Sequence, residues 1–270
     1  EIGSVIWQIN SGNDYGHGVR VINNQGVKEI VISEAYRLTS YSFNGSQNWI
    51  YYNSTIIPYV NREIKTFDSN QNGIDETLIF GSYGNGMGII ENATLLYSTN
   101  LINNLGAIVI GGVGDFNGSG IINDFVVDNS TELIMYYYNG STFEKNWSVS
   151  HGSFEPHEIS VQDINADNID DVIITYKDAG VFAYYGNNGS EIWSVDNGQL
   201  HYAIVKIDTD EDGNVTEFVS SEDSDLYWIN KTGGVYQTSS VPSNYIHEIL
   251  TFDLDNSGIE NDIVVGDAQY

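Results

Sequence analysis

The chain has 270 residues, and its 37 Asp and Glu against 9 Lys and Arg give a formal net charge of −28 at pH 7. Such an acidic surface repels nucleic acids and anionic membranes, because binding to phosphate requires Lys and Arg. The absence of cysteine excludes disulfide bonds and thiolate metal sites, and no apolar run reaches the roughly 18–20 residues that cross a membrane as a helix.

The first predicted strand, residues 3–10 (GSVIWQIN), resembles a later one, residues 189–196 (GSEIWSVD). It is followed by INNQGVKE around Gly26, an Asn- and Gly-containing turn between apolar runs that predicts a β-hairpin. More acidic copies of this turn recur along the chain. They are DSNQNGIDE from Asp68, DFNGSGIIND from Asp115, DINADNIDD from Asp163, DTDEDGNVTE from Asp208 and DLDNSGIEND from Asp253.

The copies are evenly spaced, since their turn residues lie at positions 26, 73, 120, 168, 213 and 258. A constant period of about 40–50 residues with β-type patterning indicates the blades of a propeller. We therefore predict an all-β protein, a β-propeller with six blades of about 46 residues, in a single domain over residues 1–270. The repeat units are residues 11–55, 56–103, 104–152, 153–199, 200–243, and 244–270 together with 1–10.

Each unit is expected to form four short strands. In the fourth unit these are HEISVQDI, DVIITY, GVFAYY and EIWSVD, with the acidic loop between the first two and the turn NNGS between the last two. A large side chain, aromatic in most units, recurs in the fourth strand, where we expect it to pack one blade against the next. These fourth-strand positions are Trp7, Trp49, Leu96, Trp147, Trp193 and Tyr236.

The last unit supplies two strands, HEILTFDL and NDIVVGD. Because residues 3–10 have the pattern of a fourth strand, we expect this N-terminal strand to complete the last blade and close the ring, which removes free sheet edges. A third strand is missing from this set. It is absent, is supplied by another copy of the protein, or belongs to a longer chain from which this segment was cut.

The five acidic loops have the pattern of a cation cage. Oxygen-bearing side chains occupy positions 1, 3 and 5 of a tight turn, a main-chain carbonyl follows at position 7, and a carboxylate follows at position 9 or 10. Six to eight hard oxygens at about 2.3–2.6 Å suit Ca²⁺, whereas Mg²⁺ prefers a tighter octahedron with more water. Soft metals are excluded, because neither thiolates nor clustered imidazoles contribute.

We therefore predict about five structural Ca²⁺ sites, with the carbonyl oxygen as the ligand at position 7. The predicted ligands are Asp68, Asn70, Asn72, Ile74 and Glu76; Asp115, Asn117, Ser119, Ile121 and Asp124; Asp163, Asn165, Asp167, Ile169 and Asp171; Asp208, Asp210, Asp212, Asn214 and Glu217; and Asp253, Asp255, Ser257, Ile259 and Asp262. In the first unit Val21 occupies position 1, with Asn23, Gln25 and Glu29 after it, and we expect no cation there.

The D-x-[DN]-x-[DNS]-G loop between the first two strands of each unit resembles the FG-GAP repeats of integrin α-subunit propellers and the related VCBS repeats of microbial surface proteins. The hairpins YYNGSTFEKNW and YYGNNGSEIW look like those of quinoprotein-type propellers. The resemblance covers nearly the whole chain. It implies a propeller with structural Ca²⁺ at the loop edges and a role in adhesion or at a cell surface, and it carries over no catalytic residue.

Ten Asn-X-Ser/Thr sequons favour an exported glycoprotein, extracellular or on the cell surface. We predict glycosylation among Asn44, Asn53, Asn92, Asn129, Asn139, Asn146, Asn188, Asn214 and Asn230. The tenth, Asn117, is also a predicted cation ligand, and crowding makes it the sequon we least expect to be used.

Four histidines, His17, His157, His201 and His247, lie at the starts of first strands, with Arg62 near the equivalent place in the second unit. Since first strands line the channel of a propeller, these side chains could meet at its mouth and bind a metal or an anionic sugar. The alternative, which we favour, is a repeated structural histidine that hydrogen-bonds a neighbouring turn.

No nucleophile elbow, zinc-protease helix, phosphate loop or nucleotide fingerprint occurs in the sequence. We predict a non-enzymatic, extracellular, Ca²⁺-stabilised glycoprotein that serves in adhesion or as a structural subunit of a surface or filamentous assembly. Its partners would be other copies of itself, other surface proteins or glycans. The alternatives are a carbohydrate-active enzyme of the polysaccharide lyase or hydrolase type and a quinoprotein-like dehydrogenase.

Overall fold

The computed structural model describes residues 16–34, 37–52, 64–80, 86–99, 110–152, 154–195, 201–209, 216–242, 246–254, 258 and 261–267. Within these ranges the protein contains twenty-two strands and no helix. The strands form six antiparallel sheets, each built from one continuous stretch of the chain with neighbouring strands consecutive in sequence. We number the sheets along the chain and call each one a blade.

Each of the first five blades has four strands and falls within one repeat unit of the sequence. Blade 1 contains β1 (Gly16–Asn24), β2 (Val27–Glu34), β3 (Arg37–Ser42) and β4 (Gln47–Tyr52). Blade 2 contains β5 (Ile64–Phe67), β6 (Glu76–Phe80), β7 (Met87–Glu91) and β8 (Thr94–Thr99). Blade 3 contains β9 (Ile110–Gly114), β10 (Asp124–Asp128), β11 (Glu132–Tyr138) and β12 (Phe143–Ser150).

Blade 4 contains β13 (Glu155–Gln162), β14 (Asp171–Lys177), β15 (Gly180–Tyr184) and β16 (Glu191–Val195). Blade 5 contains β17 (His201–Ile207), β18 (Glu217–Glu222), β19 (Asp225–Ile229) and β20 (Val235–Ser240). Blade 6 has two strands in the described part of the chain, β21 (Ile246–Phe252) and β22 (Asp262–Asp267). The N-terminal strand predicted at residues 3–10, with Trp7, lies outside the described residues.

The blades are arranged with their first strands side by side, since β1, β5, β9, β13, β17 and β21 contact one another in that order. An open cavity of about 260 Å³ runs along β13, β17 and β21 and is lined by Glu158, Ser160, Lys206 and Thr251 among others. The first strands therefore face the axis and the fourth strands form the outer rim. This is the arrangement of a β-propeller, and the prediction of an all-β propeller is confirmed.

Apolar side chains fill the space between consecutive blades. Five buried clusters are found in the described residues, one between each pair of neighbouring blades from 1 and 2 to 5 and 6. Between blades 3 and 4, for example, Val126 and Met135 pack with Val172, Ile174 and other side chains. Blades 2 to 5 are thus covered by apolar clusters on both faces, which explains the continuous apolar runs of second strands such as β6, β10 and β14.

A β-bulge recurs in the fourth strand of each complete blade, where one extra residue opposes the third strand. The register pairs Trp49, Trp147 and Trp193 with the third strand just after the bulge, and in blades 2 and 5 that place is taken by Tyr97 and Gln237. Leu96 and Tyr236, which sequence alignment equated with the tryptophans, are instead the bulged residues. The alignment was one residue off in those two blades, and both side chains are about half exposed, at 48% and 49%.

Candidate metal centres

The predicted cation loops join the first and second strands of blades 2 to 6, and we number each loop by its blade. Loops 2, 3 and 4 (residues 68–76, 115–124 and 163–171) lie wholly within the described residues. In blade 1 the same connection is a tight hairpin, because β1 and β2 pair up to Asn24 and Val27 and leave only Gln25 and Gly26 between them, with φ of 50° and 86°. This connection is shorter than loops 2 to 4, and the expectation that it binds no cation stays a prediction.

In loop 2 the side-chain oxygens turn inward onto the backbone of the loop. The Asp68 carboxylate accepts the N–H groups of Asn72 and Gly73 at 3.1 and 2.9 Å. Asn70 Oδ1 accepts the same Asn72 N–H at 3.0 Å, and Asn72 Oδ1 accepts the N–H of Ile74 at 2.7 Å. These bonds shape the turn and gather the oxygens of positions 1, 3 and 5.

Loop 4 repeats this arrangement at the equivalent residues. The Asp163 carboxylate accepts from Asp167 N and Asn168 N at 3.2 and 2.8 Å. Asn165 Oδ1 accepts from Asp167 N at 2.8 Å, and Asp167 Oδ1 accepts from Ile169 N at 2.9 Å.

Loop 3 is built in the same way. The Asp115 carboxylate accepts from Ser119 N and Gly120 N at 2.9 and 2.5 Å. Asn117 Oδ1 accepts from Ser119 N at 2.9 Å, and Ser119 Oγ accepts from Ile121 N at 3.2 Å. The same cradle therefore forms in three blades from three different sequences.

Each closing carboxylate is the first residue of the second strand and lies behind its loop. Glu76, Asp124 and Asp171 are at most 1% exposed. Asp171 accepts the N–H groups of Ile164 and Gly186 at 3.3 and 3.1 Å. Despite these bonds, burial raises the pKa of Asp171 to about 7 and that of Asp124 to about 6, and burial also raises the pKa of Glu76. A nearby cation would favour the ionised form of these groups.

The donor set of the loops fits a hard cation. It offers carboxylate, amide, hydroxyl and carbonyl oxygens and no nitrogen or sulfur ligand, which is the chemistry that Ca²⁺ prefers. Within the described ranges no three His, Asp or Glu side chains converge as a ready-made metal site. The closing carboxylates are directed instead to N–H groups, including Asn70 Nδ2 and Asn117 Nδ2 at 2.9 and 2.8 Å. The five cages thus stay a prediction about the cation-bound protein.

Loops 5 and 6 are described in part. Asp210, Asp212, Asn214, Asp255, Ser257 and Ile259 lie outside the described residues. Asp208 is buried, and Glu217 and Asp262 begin β18 and β22 as the pattern requires. In loop 6, Asp253 accepts the N–H of Gly258 at 2.9 Å and Asp262 accepts the N–H of Leu254 at 2.7 Å. Both bonds match those of loops 2 to 4.

Position 8 of two loops connects neighbouring blades, a role that the sequence analysis missed. Asp75 accepts the N–H of Asn23 in blade 1 at 2.6 Å and donates its own N–H to the Asn23 carbonyl at 2.8 Å. Asp170 forms the same pair of bonds with Asp115 in blade 3, at 2.8 and 3.0 Å. The sequence did contain a signal for this role, since two acids follow each other in IDE and IDD. Only the last of them closes its loop, so the acid before it is free to serve another purpose.

The predicted histidine set is described in part. His17, His157 and His247 are the extra residues of bulges in β1, β13 and β21, while His201 begins β17. His201 is fully buried, lies 2.9 Å from Ser220 Oγ through Nδ1, and has its pKa lowered to about 4 by burial. A solvent-facing role at the channel mouth is therefore wrong for His201. Its partner is a strand residue rather than the turn we expected.

His157 is mostly buried at the opposite end of blade 4 from its loop and packs edge-on against Tyr202, with ring centroids 4.9 Å apart. The side chains of His17 and His247, and all of Arg62, lie outside the part of the chain that is described. The burial of His157 and His201 favours a structural role for these two side chains.

The fifth histidine, which sequence analysis passed over, belongs to a buried polar network between blades 3 and 4. His151 Nε2 lies 2.8 Å from the fully buried Asp128 carboxylate, which also accepts the Tyr176 hydroxyl at 2.8 Å. His151 packs against Phe154 and Tyr176, with ring centroids 5.8 and 4.7 Å away. The network is at the end of the blades opposite to the cation loops.

The sequons that the structure describes differ in location. Asn44, Asn92, Asn139, Asn146 and Asn188 are exposed, whereas Asn129 and Asn230 are half-buried. Asn53 and Asn214 lie outside the described residues.

No helix in the described part is long and apolar enough to cross a membrane.

Comparison with known proteins identifies the fold. No family model matches the sequence, and no curated protein matches it. Among solved structures, BBS1N in complex with ARL6DN has a TM-score of 0.67 at 11% identity, covering 92% of this chain and 74% of that one. The V. cholerae biofilm matrix protein Bap1 has a TM-score of 0.64 at 15% identity, covering 90% of this chain and 43% of that one.

The exotype rhamnogalacturonan lyase YesX has a TM-score of 0.63 at 12% identity, covering 87% of this chain and 50% of that one. Together these likenesses show that the chain is a β-propeller, whose relatives in fold have varied roles. The count of six blades and the FG-GAP or VCBS assignment stay predictions.

Proposed function

We propose that the protein is an extracellular, Ca²⁺-stabilised glycoprotein propeller that serves in adhesion or as a structural subunit of a surface or extracellular assembly, including a filament. The observation that supports this most is the oxygen cradle that loops 2, 3 and 4 build alike, each backed by a buried carboxylate with a raised pKa. Bound Ca²⁺ would neutralise part of the formal charge and hold neighbouring first and second strands together.

The repetition itself favours a scaffold over an enzyme. A carbohydrate-active enzyme or a quinoprotein-like dehydrogenase needs an asymmetric pocket with its own catalytic groups. The polar features that recur here are shared by successive blades, so the proposal assigns no catalytic residue. The matrix protein Bap1 and the lyase YesX, both similar in fold, are precedents for the two roles and do not decide between them.

The cation part of the proposal is tested by isothermal titration of the chelator-treated protein with Ca²⁺ and, separately, with Mg²⁺. We expect binding of several Ca²⁺ ions, about one for each acidic loop, and weaker binding of Mg²⁺. A protein that binds no Ca²⁺ at millimolar concentration would contradict it.

The assembly part is tested on native material by electron microscopy and light scattering. In the described residues β22 pairs only with β21, so its outer edge is available to residues 3–10 or to a strand from another copy. A strand supplied head-to-tail would build a filament, because that contact is heterologous. We expect filaments or a surface layer, and deletion of residues 1–10 should change the size distribution. A strictly monomeric native protein at high concentration would refute assembly and leave adhesion to be tested by cell binding.

A further inference from the structure

The connection between the third and fourth strands lies at the same end of each blade as the cation loop. This follows from the order of the strands, because in an antiparallel sheet of consecutive strands the first and third connections share one end. Neighbouring blades are aligned in the same sense, as the bonds from Asp75 to Asn23 and from Asp170 to Asp115 show. We call this end of the ring the loop face.

Every one of the five complete blades carries a sequon in its third connection. They are Asn44 after β3, Asn92 after β7, Asn139 after β11, Asn188 after β15 and Asn230 after β19. Four of these asparagines are exposed and Asn230 is half-buried. Since the fourth strand is the outermost of each blade, the five sequons form an arc on the outer rim of the loop face, outside the acidic loops.

The asparagine makes the turn, and the Ser or Thr two residues later adds a bond from its hydroxyl to the same Oδ1, at 2.6–2.9 Å in three hairpins, that the turn does not need. Asn139, Asn188 and Asn230 accept the N–H of the second residue on, at 2.8–3.0 Å. Asn70 and Asn165 in the cation loops make the same bond, at 3.0 and 2.8 Å, with Asn or Asp in that place. A Ser or Thr is therefore not required for the turn.

Blade 2 provides an independent case. Its third connection is a two-residue turn in which Asn92 and Ala93 have φ of 45° and 63°, unlike the longer connections of the other blades. The sequon nevertheless occurs at this place, with Thr94 as the first residue of β8. A hydroxyl two residues after an exposed Asn is thus retained although the turn itself has changed.

Asn139 Nδ2 donates to the exposed Glu144 carboxylate at 2.5 Å, whereas the sequon at Asn117, on the same face, has a buried partner. Asn117 Nδ2, to which a glycan would be attached, donates to the fully buried Asp124 carboxylate at 2.8 Å. A glycan on that nitrogen would separate the pair and leave a buried carboxylate with one hydrogen bond fewer. This sequon is therefore expected to remain bare.

We propose that N-glycans are attached to one asparagine on each complete blade, namely Asn44, Asn92, Asn139, Asn188 and Asn230. The resulting arc of glycans surrounds the cation loops and covers the outer rim of the loop face. Contacts with other proteins then use the opposite face or the outer edge of blade 6. The inference rests on the proposed extracellular location, and it adds which residues are modified and which surface is left open.

The test is site-resolved mass spectrometry of intact glycopeptides from the native protein, which locates each attachment site whatever the composition of the glycan. We expect at least four of the five hairpin asparagines to be occupied and Asn117 to be unmodified. If fewer than four of these asparagines carry a glycan while other sites are modified, the inference is overturned and the glycoprotein proposal stays intact. A glycan on Asn117 has the same consequence. A protein without any glycan overturns both.

Variants expressed in the native host provide a second measurement. Ser141→Ala and Ser190→Ala remove a sequon without altering its asparagine, so each should lower the intact mass by one glycan. Ser119→Ala removes the sequon of Asn117 and should lose no glycan. A glycan lost from Ser119→Ala, or none lost from the other two, contradicts the proposal.

Discussion

The indole N–H of Trp193 on β16 donates to the carbonyl of Lys231 in the next blade, at 2.9 Å. In the same way, the indole N–H of Trp147 on β12 in blade 3 donates to the carbonyl of Gly186 in blade 4, at 2.7 Å. In the first pair the ring also rests on Gly233, where a Cβ atom would lie 2.9 Å from Trp193 Cγ. The fourth-strand tryptophans thus connect the rim of one blade to the hairpin of the next, which confirms their predicted packing role.

Gly233→Ala should destabilise the protein more than a matched change in an open hairpin. Gly233 has φ of 79°, so alanine is strained there, and its Cβ would also overlap Trp193. We expect a loss of about 2–4 kcal/mol in the free energy of unfolding, combining backbone strain with overpacking. Urea denaturation in saturating Ca²⁺ measures it.

Gly140→Ala is the control for that change. Gly140 occupies the corresponding hairpin of blade 3 with φ of 90°, but nothing lies within 4 Å of its Cβ position. It should lose only the strain, about 1 kcal/mol. Equal losses in the two variants would show that the contact with Trp193 does not hold the blades together.

Asp163→Ala should remove one Ca²⁺ site and the stability that depends on it. A cation at about 100 times its Kd stabilises the native state by about 2.7 kcal/mol. The substitution also deletes the bonds to Asp167 N and Asn168 N, so the parent and variant will differ even in chelator. The informative quantity is the rise in Tm on adding Ca²⁺, which should be smaller in the variant, together with one ion fewer by titration.

Asn23→Ala in blade 1 serves as the comparison, because it also removes loop-face hydrogen bonds, including that from Asn23 Nδ2 to the Gly73 carbonyl at 2.8 Å. It should lower stability without reducing the number of bound ions. If both variants keep the full count of Ca²⁺, loop 4 is not a site.

Without Ca²⁺, the contribution of Asp171 to stability should fall as the pH rises from about 5 to 8. Burial raises the pKa of Asp171 to about 7, so the folded state holds a proton that the unfolded state has released. The stability linked to this proton is complete below the unfolded pKa of about 4 and is lost as the pH passes 7, by up to about 4 kcal/mol. Saturating Ca²⁺ should reverse the trend, because it binds the ionised carboxylate.

Urea denaturation at several pH values, with chelator and with Ca²⁺, tests this dependence. Asp171→Asn removes the titrating group and should flatten the curve measured in chelator. A parent and an Asp171→Asn variant whose stabilities in chelator change equally between pH 5 and 8 would contradict the assignment.

The sequence predicted the repeating parts of this molecule and missed the parts that depend on register between blades. Loop positions 1, 3 and 5 could be predicted because their bonds are local, within a few residues. The misalignment at Leu96 and Tyr236 arose because blades 2 and 5 have no tryptophan in the fourth strand, and the large side chain chosen in its place is the bulged residue, one before the paired position.

The contacts that join blades were harder to predict. The bond from Asp170 to Asp115 links residues 55 positions apart, and the Tyr176–Asp128 bond links residues 48 apart. Only the relative placement of two blades brings such residues together. A period in the sequence predicts that blades exist, but it does not predict which polar side chains cross between them.

His201 should make the protein sensitive to acid. Its side chain is fully buried against Ser220, and burial lowers its pKa to about 4, whereas the unfolded chain has an ordinary histidine pKa of about 6.5. The neutral form is therefore the folded form, and its stability is complete above pH 6.5. That stability is lost as the pH falls towards 4, because the unfolded state gains a proton first.

The substitution that tests this is His201→Gln, which keeps a polar group near Ser220 and cannot take up a proton in this range. Denaturation curves in chelator at pH 8 and pH 4.5 give the comparison, since the buried carboxylates contribute equally to parent and variant and cancel in the difference. At pH 8 the parent should be the more stable, because glutamine fits the histidine cavity less well. Between pH 8 and 4.5 the parent should lose about 2–3 kcal/mol more than the variant, corresponding to a shift of roughly two pKa units. Parallel losses in the two proteins would mean that His201 is solvated in the native state and that the burial of β17 at this end of blade 5 is wrong.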